Sequence, residues 1–271
     1  MSYGIKCEFR TIQDFSCFYC LLVFLTGASA AVADHHQPIG QAVTINGEFV
    51  NQAPIDNNDK RSNIRDNVSA LALKDSLLVI GADEGADLLV FTSDGEFGKL
   101  DEISCIPLDG QSCGSERKGT EIDIEGIAWG EEHVYVVGSH SRARKRVDAE
   151  KTQEENRKRL KTIKIEPSRE QIFRLKVNEN GELNGRIKSI SLRNLFANHP
   201  ILAMFQPIPS KENGLDIEGL AVGKDEAGED VLYLGFRGPV LRGNYAMVMM
   251  LEFEEGKFKE KKLSPGKHFT S

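Results

Sequence analysis

From Asp66 onward the chain alternates short aliphatic or β-branched runs with turns containing Gly, Asp and Asn, the pattern of half-buried strands joined by hairpins. One segment recurs. Glu121 to Ser141 reads EIDIEGIAWGEEHVYVVGSHS, and Gly214 to Pro239 reads GLDIEGLAVGKDEAGEDVLYLGFRGP. Both run Asp-Ile-Glu-Gly, an aliphatic residue and Ala, a polar turn, then a second strand that reaches Gly138 or Gly235. A fainter copy, DNVSALALKDSLLVIGADEG from Asp66 to Gly85, has Ser69-Ala70 where the others have Glu125-Gly126 and Glu218-Gly219.

More strand-like sequence follows each copy: Asp87 to Thr92 and Glu102 to Pro107, then Gln171 to Val177 and Arg186 to Leu192, then Ala246 to Phe253 and Phe258 to Leu263. Asp94-Gly95, Asn180-Gly181 and Glu255-Gly256 stand at the third turn of each unit, where a tight hairpin needs positive φ. Four short antiparallel strands per repeated unit predict an all-β, propeller-like fold. The expected blades are about 66–110, 120–193 and 214–263, within a domain spanning 66–271. Closed propellers use ~4 to 8 blades, so three predict an incomplete, open ring. A truncated or split gene product, or a second chain that completes the ring, would account for it. Residues 142–169 form a densely charged insert with almost no apolar face, expected as a solvated helix or loop. A second insert, from Asn194 to Lys211, predicts a short helix over a blade edge.

The N-terminus changes the picture of compartment. Phe15 to Leu25 is an unbroken apolar stretch followed by small residues, which predicts a signal peptide over 1–33, cleaved after Ala30 or Ala33, and an N-terminal extension over 34–65. The apolar stretch is shorter than the ~20 residues a spanning helix needs, so no membrane span is expected after cleavage. The protein is then periplasmic or secreted. Of five cysteines, Cys7, Cys17 and Cys20 leave with the signal, and Cys105 and Cys113 flank a turn at Asp109-Gly110, placed for a local disulfide. A net charge of −7 argues against a nucleic-acid partner.

The candidate chemistry lies at the strand ends. Strict alternation would turn Asp123 and Glu125 to one side and Ile124 to the other, and likewise Asp216 and Glu218 against Ile217. These four carboxylates would converge near the axis and hold a hard divalent ion, Ca2+ or Mg2+. The alternative is a structural role, with each Glu locking neighbouring blades. Two residues beyond Gly81, Gly138 and Gly235 stand Asp83, His140 and Arg237, ionisable and different, as in a site built by divergence. His140 would be a general base, Arg237 would bind an anion, and Asp83 would orient them. Glu84, Ser139, Ser141 and Arg142 would contact a ligand. No nucleophile elbow, phosphate loop or zincin motif is present.

At these motifs, from Ser69-Ala70-Leu71 and Asp83-Glu84 through Gly138-Ser139-His140-Ser141 to Gly235-Phe236-Arg237-Gly238-Pro239, the chain resembles a bacterial family known only as domain of unknown function 3616. Family members look to continue with further strand repeats, whereas this chain stops at Ser271. More distantly, the Glu-Gly strand starts resemble lactonase and phytase-like esterase propellers, which implies metal-supported hydrolysis. The expectation is an exported protein with a cation-dependent site for a small molecule, an ester, lactone or phosphoester. The alternative is a non-catalytic scaffold binding a protein or ligand.

Overall fold

The structure is a computed structural model that describes residues 67–93, 100–113, 121–254, 257–260 and 263–270. All belong to one unit, 45–271. The expected signal peptide over 1–33 and the extension over 34–65 lie outside the described residues, as do the expected turns at Asp94-Gly95 and Glu255-Gly256.

The described chain is all-β, mostly antiparallel, with two short α-helices and no closed barrel. Sheet 1 is β1 (Val68–Lys74), β2 (Leu77–Ala82), β3 (Asp87–Ser93) and β4 (Leu100–Pro107), in that order. Sheet 2 takes β5 (Ile124–Trp129), β6 (Val134–Gly138), β9 (Gln171–Leu175) and β10 (Lys188–Ser191). Sheet 3 takes β11 (Asp216–Lys224), β12 (Asp230–Leu241), β13 (Tyr245–Phe253) and β14 (Leu263–Thr270). Each sheet is therefore one sequence repeat. The last strand differs from expectation: it forms over Leu263–Thr270, while Phe258 is buried ahead of it against Phe253 and Tyr135.

The sheets stack through their faces, and β5 lies beside both β1 and β11. Ile124, Ile127, Val134, Val136 and Phe173 of sheet 2 cluster with Ala70, Ala72 and Val79 of sheet 1. The opposite face of sheet 2 (Ala128, Tyr135, Val137 and Ile172) clusters with Leu220, Leu232, Leu234, Met247 and Met249 of sheet 3. Small residues set the separation. A Cβ added to Gly81 would sit 2.7 Å from the Ile124 side chain, and one added to Gly126 would sit 2.6 Å from Leu220 Cβ. Polar ties fasten one end of this stack: Lys74 Nζ donates to the Glu131 carbonyl at 2.7 Å, Tyr135 Oη to Asp230 at 2.9 Å, and Lys224 pairs with Glu131 at 2.7 Å.

The charged insert folds as a two-residue ladder, β7 (Ala143–Arg144) with β8 (Ile163–Lys164), around α1 (Gln153–Lys161). A Thr152–Glu155 capping box starts α1, and none of its residues is buried, as its lack of an apolar face requires. The second insert begins with α2 (Arg193–Asn198), whose Phe196 is fully buried between sheets 2 and 3. Cys105 and Cys113 form a disulfide across the Asp109-Gly110 turn, where Gly110 has φ +75°. Among the described residues no helix is long and apolar enough to cross a membrane.

Gly126→Ala should force sheets 2 and 3 apart, since Leu220 approaches with both its Cβ and, at 2.9 Å, its backbone nitrogen. The expected loss is ~1–3 kcal/mol, read by urea unfolding.

Candidate functional site

The site is built by one backbone device repeated three times. In each sheet the first strand begins with a β-bulge. Pairing jumps from Val68 to Ala70, from Ile124 to Gly126 and from Ile217 to Gly219, leaving Ser69, Glu125 and Glu218 as the unpaired extra residues. A bulge bends its strand and re-aims a side chain. The strict alternation expected of Asp123, Ile124 and Glu125 therefore does not hold, nor does that of Asp216, Ile217 and Glu218.

The same pairing revises which residues are equivalent. Ala82, Gly138 and Phe236 pair with Val68, Ile124 and Ile217, so the repeat places Asp83, Ser139 and Arg237 at one position. His140 stands one residue further on, and the grouping of His140 with Asp83 and Arg237 is corrected. Aligning Gly138 with Gly235 by identity caused the slip; Gly235 matches Val137.

In sheet 2, Asp123 and His140 both adopt left-handed backbone, φ 57° and 55°, a conformation Asp and His tolerate better than most residues. The turn at His140 sends its neighbours one way and the imidazole the other. Ser139 Oγ donates to Asp123 Oδ2, Ser141 Oγ reaches the same oxygen at 3.3 Å, and Arg169 Nη1 donates to it at 2.8 Å. Arg169 also bonds Glu121 and lies 2.9 Å from Glu166. His140 instead packs edge-on against Phe196 at 5.4 Å, with Nδ1 2.8 Å from the Gly138 carbonyl. Its Nε2 is buried without a hydrogen-bond partner, and burial pushes its pKa down to about 4. The structure does not bring His140 to the acidic cluster as a solvent-facing base.

In sheet 3, Arg237 Nη2 pairs with Asp216 and Nη1 with Glu218 at 2.5 Å. Asp216 is buried, and its pKa rises to about 6: burial outweighs the opposing pull of Arg237. Glu218 is also raised by burial against Arg237. In sheet 1 the bulged Ser69 donates to the Ile124 carbonyl of β5, a structural tie. Asp83 is raised by burial and then by Asp123 and Glu84, and its Oδ1 is buried without a hydrogen-bond partner. Glu84 is exposed.

Glu125 stands apart. Among the described residues no hydrogen bond or ion pair reaches it. Burial, then the charges of Glu218, Asp123 and Asp216, push its pKa up to about 9, with Arg237 opposing. The carboxylates of β5 and β11 thus share one electrostatic environment.

Other expected residues are used elsewhere. The Arg142 carbonyl accepts from Ser210 N at 2.9 Å while the buried Arg142 Nε has no hydrogen-bond partner, and the nearby Arg144 is held by Glu212 through two nitrogens. Arg169 and Glu121, at the edges of the motif and the insert, were missed; their signal was only their closeness to Asp123 and to the start of β9. Among the described residues, the one grouping of three metal-ligand atoms within 4.8 Å is Asp87 with Cys105 and Cys113, and its two sulfurs are spent in the disulfide. The four carboxylates Asp123, Glu125, Asp216 and Glu218 are therefore not gathered into a preformed cage. Two surface clefts lie elsewhere, one lined by His133, Arg174, Lys224 and Asp230, the other by His199 and Pro265.

The three bulges and the acidic residues around them fall within residues 67–268, which match the model of a family described as Protein of unknown function (DUF3616). The chain belongs to this family. No curated protein matches it significantly. The match runs from the first strand to all but the last two residues of β14 and takes in every candidate residue of this DUF3616 chain.

Glu125 holds its proton up to about pH 9 in the folded chain and to about 4.5 when unfolded. The folded state binds more protons across that window, so this group's contribution to stability falls as pH rises through it. Glu125→Gln should remove the dependence. Its melting temperature should exceed that of wild type by a few degrees, at roughly 2–4 °C per kcal/mol, with the gap widening above neutral pH and closing near pH 5.

Proposed function

We propose that the described sheets are blades of a propeller-like protein, and that the bulged starts of β5 and β11 form a cation-dependent site for a small molecule at one mouth of its channel. The observation that carries this reading is Glu125, a carboxyl with no hydrogen bond or ion pair among the described residues and crowded by Glu218, Asp123 and Asp216. Such crowding creates a negative potential that a proton or a cation relieves. The all-oxygen donor set suits Ca2+ or Mg2+. Mg2+ keeps several waters and needs only one or two carboxylates, so a gathered cage is not required. Glu125 and Glu218 would hold the ion, with the partnerless Oδ1 of Asp83 as a further donor. A bound ion would in turn recognise an anionic small molecule. The reading does not extend to hydrolysis with His140 as base, because its Nε2 is buried. Periplasmic or secreted placement rests on the apolar N-terminal stretch, with the Cys105–Cys113 disulfide in agreement.

A second reading, the non-catalytic scaffold, is favoured by one observation: Arg169 and Arg237 each already bind two or more carboxylates. In that case the charges are offset within the protein and an added cation finds nothing to do.

Thermal unfolding with Ca2+ or Mg2+ separates the two. A site ion at 100 times its dissociation constant adds ~2.7 kcal/mol, a shift of several degrees. The shift should vanish in Glu125→Gln, shrink in Glu218→Gln, and be reached at lower ion concentration as pH rises, because binding expels the Glu125 proton. No shift with either ion overturns the cation site.

A further inference from the structure

The charged insert is opposite in sign to the rest of the chain. Residues 142–169 hold eleven Lys and Arg against five Asp and Glu, a net charge of +6 in a chain whose total is −7, so the remainder carries −13. Part of this positive charge has partners inside the protein. Arg144 is held by Glu212, Lys151 pairs with Asp148, Lys158 with Glu154, and Arg169 with Asp123. Arg159 Nε donates to the Arg146 carbonyl at 2.7 Å. Five cations are left over. Lys145, Arg146, Arg157, Lys161 and Lys164 are all exposed, and among the described residues no ion pair or side-chain hydrogen bond reaches them. A place in the last turn of α1 lets Lys161 offset the helix dipole, which accounts for none of the other four.

The same insert exposes aliphatic side chains: Val147 is 59%, Ile165 50% and Leu160 44% exposed. The backbone interleaves them with the free cations. Lys145 N donates to the Thr162 carbonyl at 3.1 Å, and Ala143 pairs with Lys164. Lys145, Arg146 and Val147 therefore run past the last turn of α1, while Lys164 and Ile165 leave along the opposite arm of the ladder. Within α1, Arg157, Leu160 and Lys161 are spaced i, i+3 and i+4 and share one side of the helix. None of these side chains sits in a groove, and neither surface cleft is lined by an insert residue.

We propose that the insert docks on a membrane surface through anionic lipid headgroups. Each Lys or Arg near such a surface favours binding about fivefold, and Val147, Leu160 and Ile165 gain by leaving water at the headgroup boundary. Other occupants are less well matched. Protein hot spots are dominated by Trp, Tyr and Arg seated in pockets, and nucleic-acid bases stack on aromatic rings. Residues 142–169 contain no Trp, Tyr or Phe. A lipid surface needs no fixed pocket, because headgroups rearrange around cations scattered between aliphatic side chains. With no apolar face, α1 does not lie in the interface as an amphipathic helix; it presents its last turn. The acidic remainder is repelled by the same surface, so the insert also sets which side of the molecule approaches it. The proposal does not depend on the cation site.

Vesicle flotation of the full chain in EDTA tests it, comparing phosphatidylcholine alone with equal parts phosphatidylcholine and phosphatidylglycerol. The apolar stretch Phe15 to Leu25, where retained, binds both compositions alike, so the preference for anionic vesicles reads the insert. Binding should favour the anionic vesicles at least a hundredfold and fall as salt rises from about 0.1 to 1 M, which shortens screening from ~10 to ~3 Å. Lys145→Gln, Arg146→Gln and Lys164→Gln together should remove most of the preference, at about fivefold per residue. Val147→Ser with Leu160→Ser should weaken binding severalfold and leave its salt dependence unchanged. Lys188→Gln, an exposed cation on β10, should leave binding unchanged. All these side chains are exposed, so every variant should keep the wild-type circular dichroism spectrum. Equal binding to both compositions, or a preference that the triple variant retains, overturns the proposal. So does binding of soluble polyglutamate as strong as that of anionic vesicles with no effect of the apolar variant, which would assign the insert to an acidic protein.

Discussion

The structure depends on how closely β5 is held between its two neighbours. Ile124 and Ile127 press on Gly81 of sheet 1, and Gly126 accepts Leu220 of sheet 3. With no Cβ at these crossing points the first strands of three sheets lie side by side. Their starting residues are then brought to a common place, and those residues are Asp123, Glu125, Asp216 and Glu218. The acidic cluster follows from apolar packing: the core draws the strands together, and the carboxylates come with it.

The chain handles the resulting repulsion unevenly. Arg237 binds Asp216 and Glu218, while Arg169, delivered by the end of the charged insert, binds Glu121 and Asp123. Even so, burial raises Asp216 despite its arginine, so desolvation outweighs the ion pair. At the equivalent bulge of sheet 1 the carboxylate is replaced by Ser69, which binds backbone. Glu125 receives neither remedy. A group left uncompensated among compensated equivalents is where a ligand would alter the protein most.

Much of the fold was legible because each repeat carries its own hydrophobic pattern. The copies at Ser69, Glu125 and Glu218 correspond to three sheets, and the lack of an apolar stripe in residues 142–169 corresponds to an unburied α1. The site was less legible for physical reasons. A bulge adds a residue without changing composition, so period-2 reasoning assigned faces to Asp123 and Glu125 that the backbone does not keep. Matching Gly138 to Gly235 by identity displaced the second strands by one, although Tyr135 and Tyr233 held the correct register. His140 carried the chemistry of a base, but a left-handed turn directs it into the core beside Phe196. That depends on α2, which is distant in sequence.

Where β5 packs against β11, burial and then the charges of Glu218, Asp123 and Asp216 make Glu125 hold its proton at neutral pH. Carbon-13 NMR titration of the glutamate carboxyls, with Glu125→Gln to assign the resonance, measures this directly. An apparent pKa near 9 is expected in the absence of divalent ions. A midpoint near the ordinary 4.5 would show that Glu125 is neither desolvated nor repelled by the carboxylates at the starts of β5 and β11, and would contradict this.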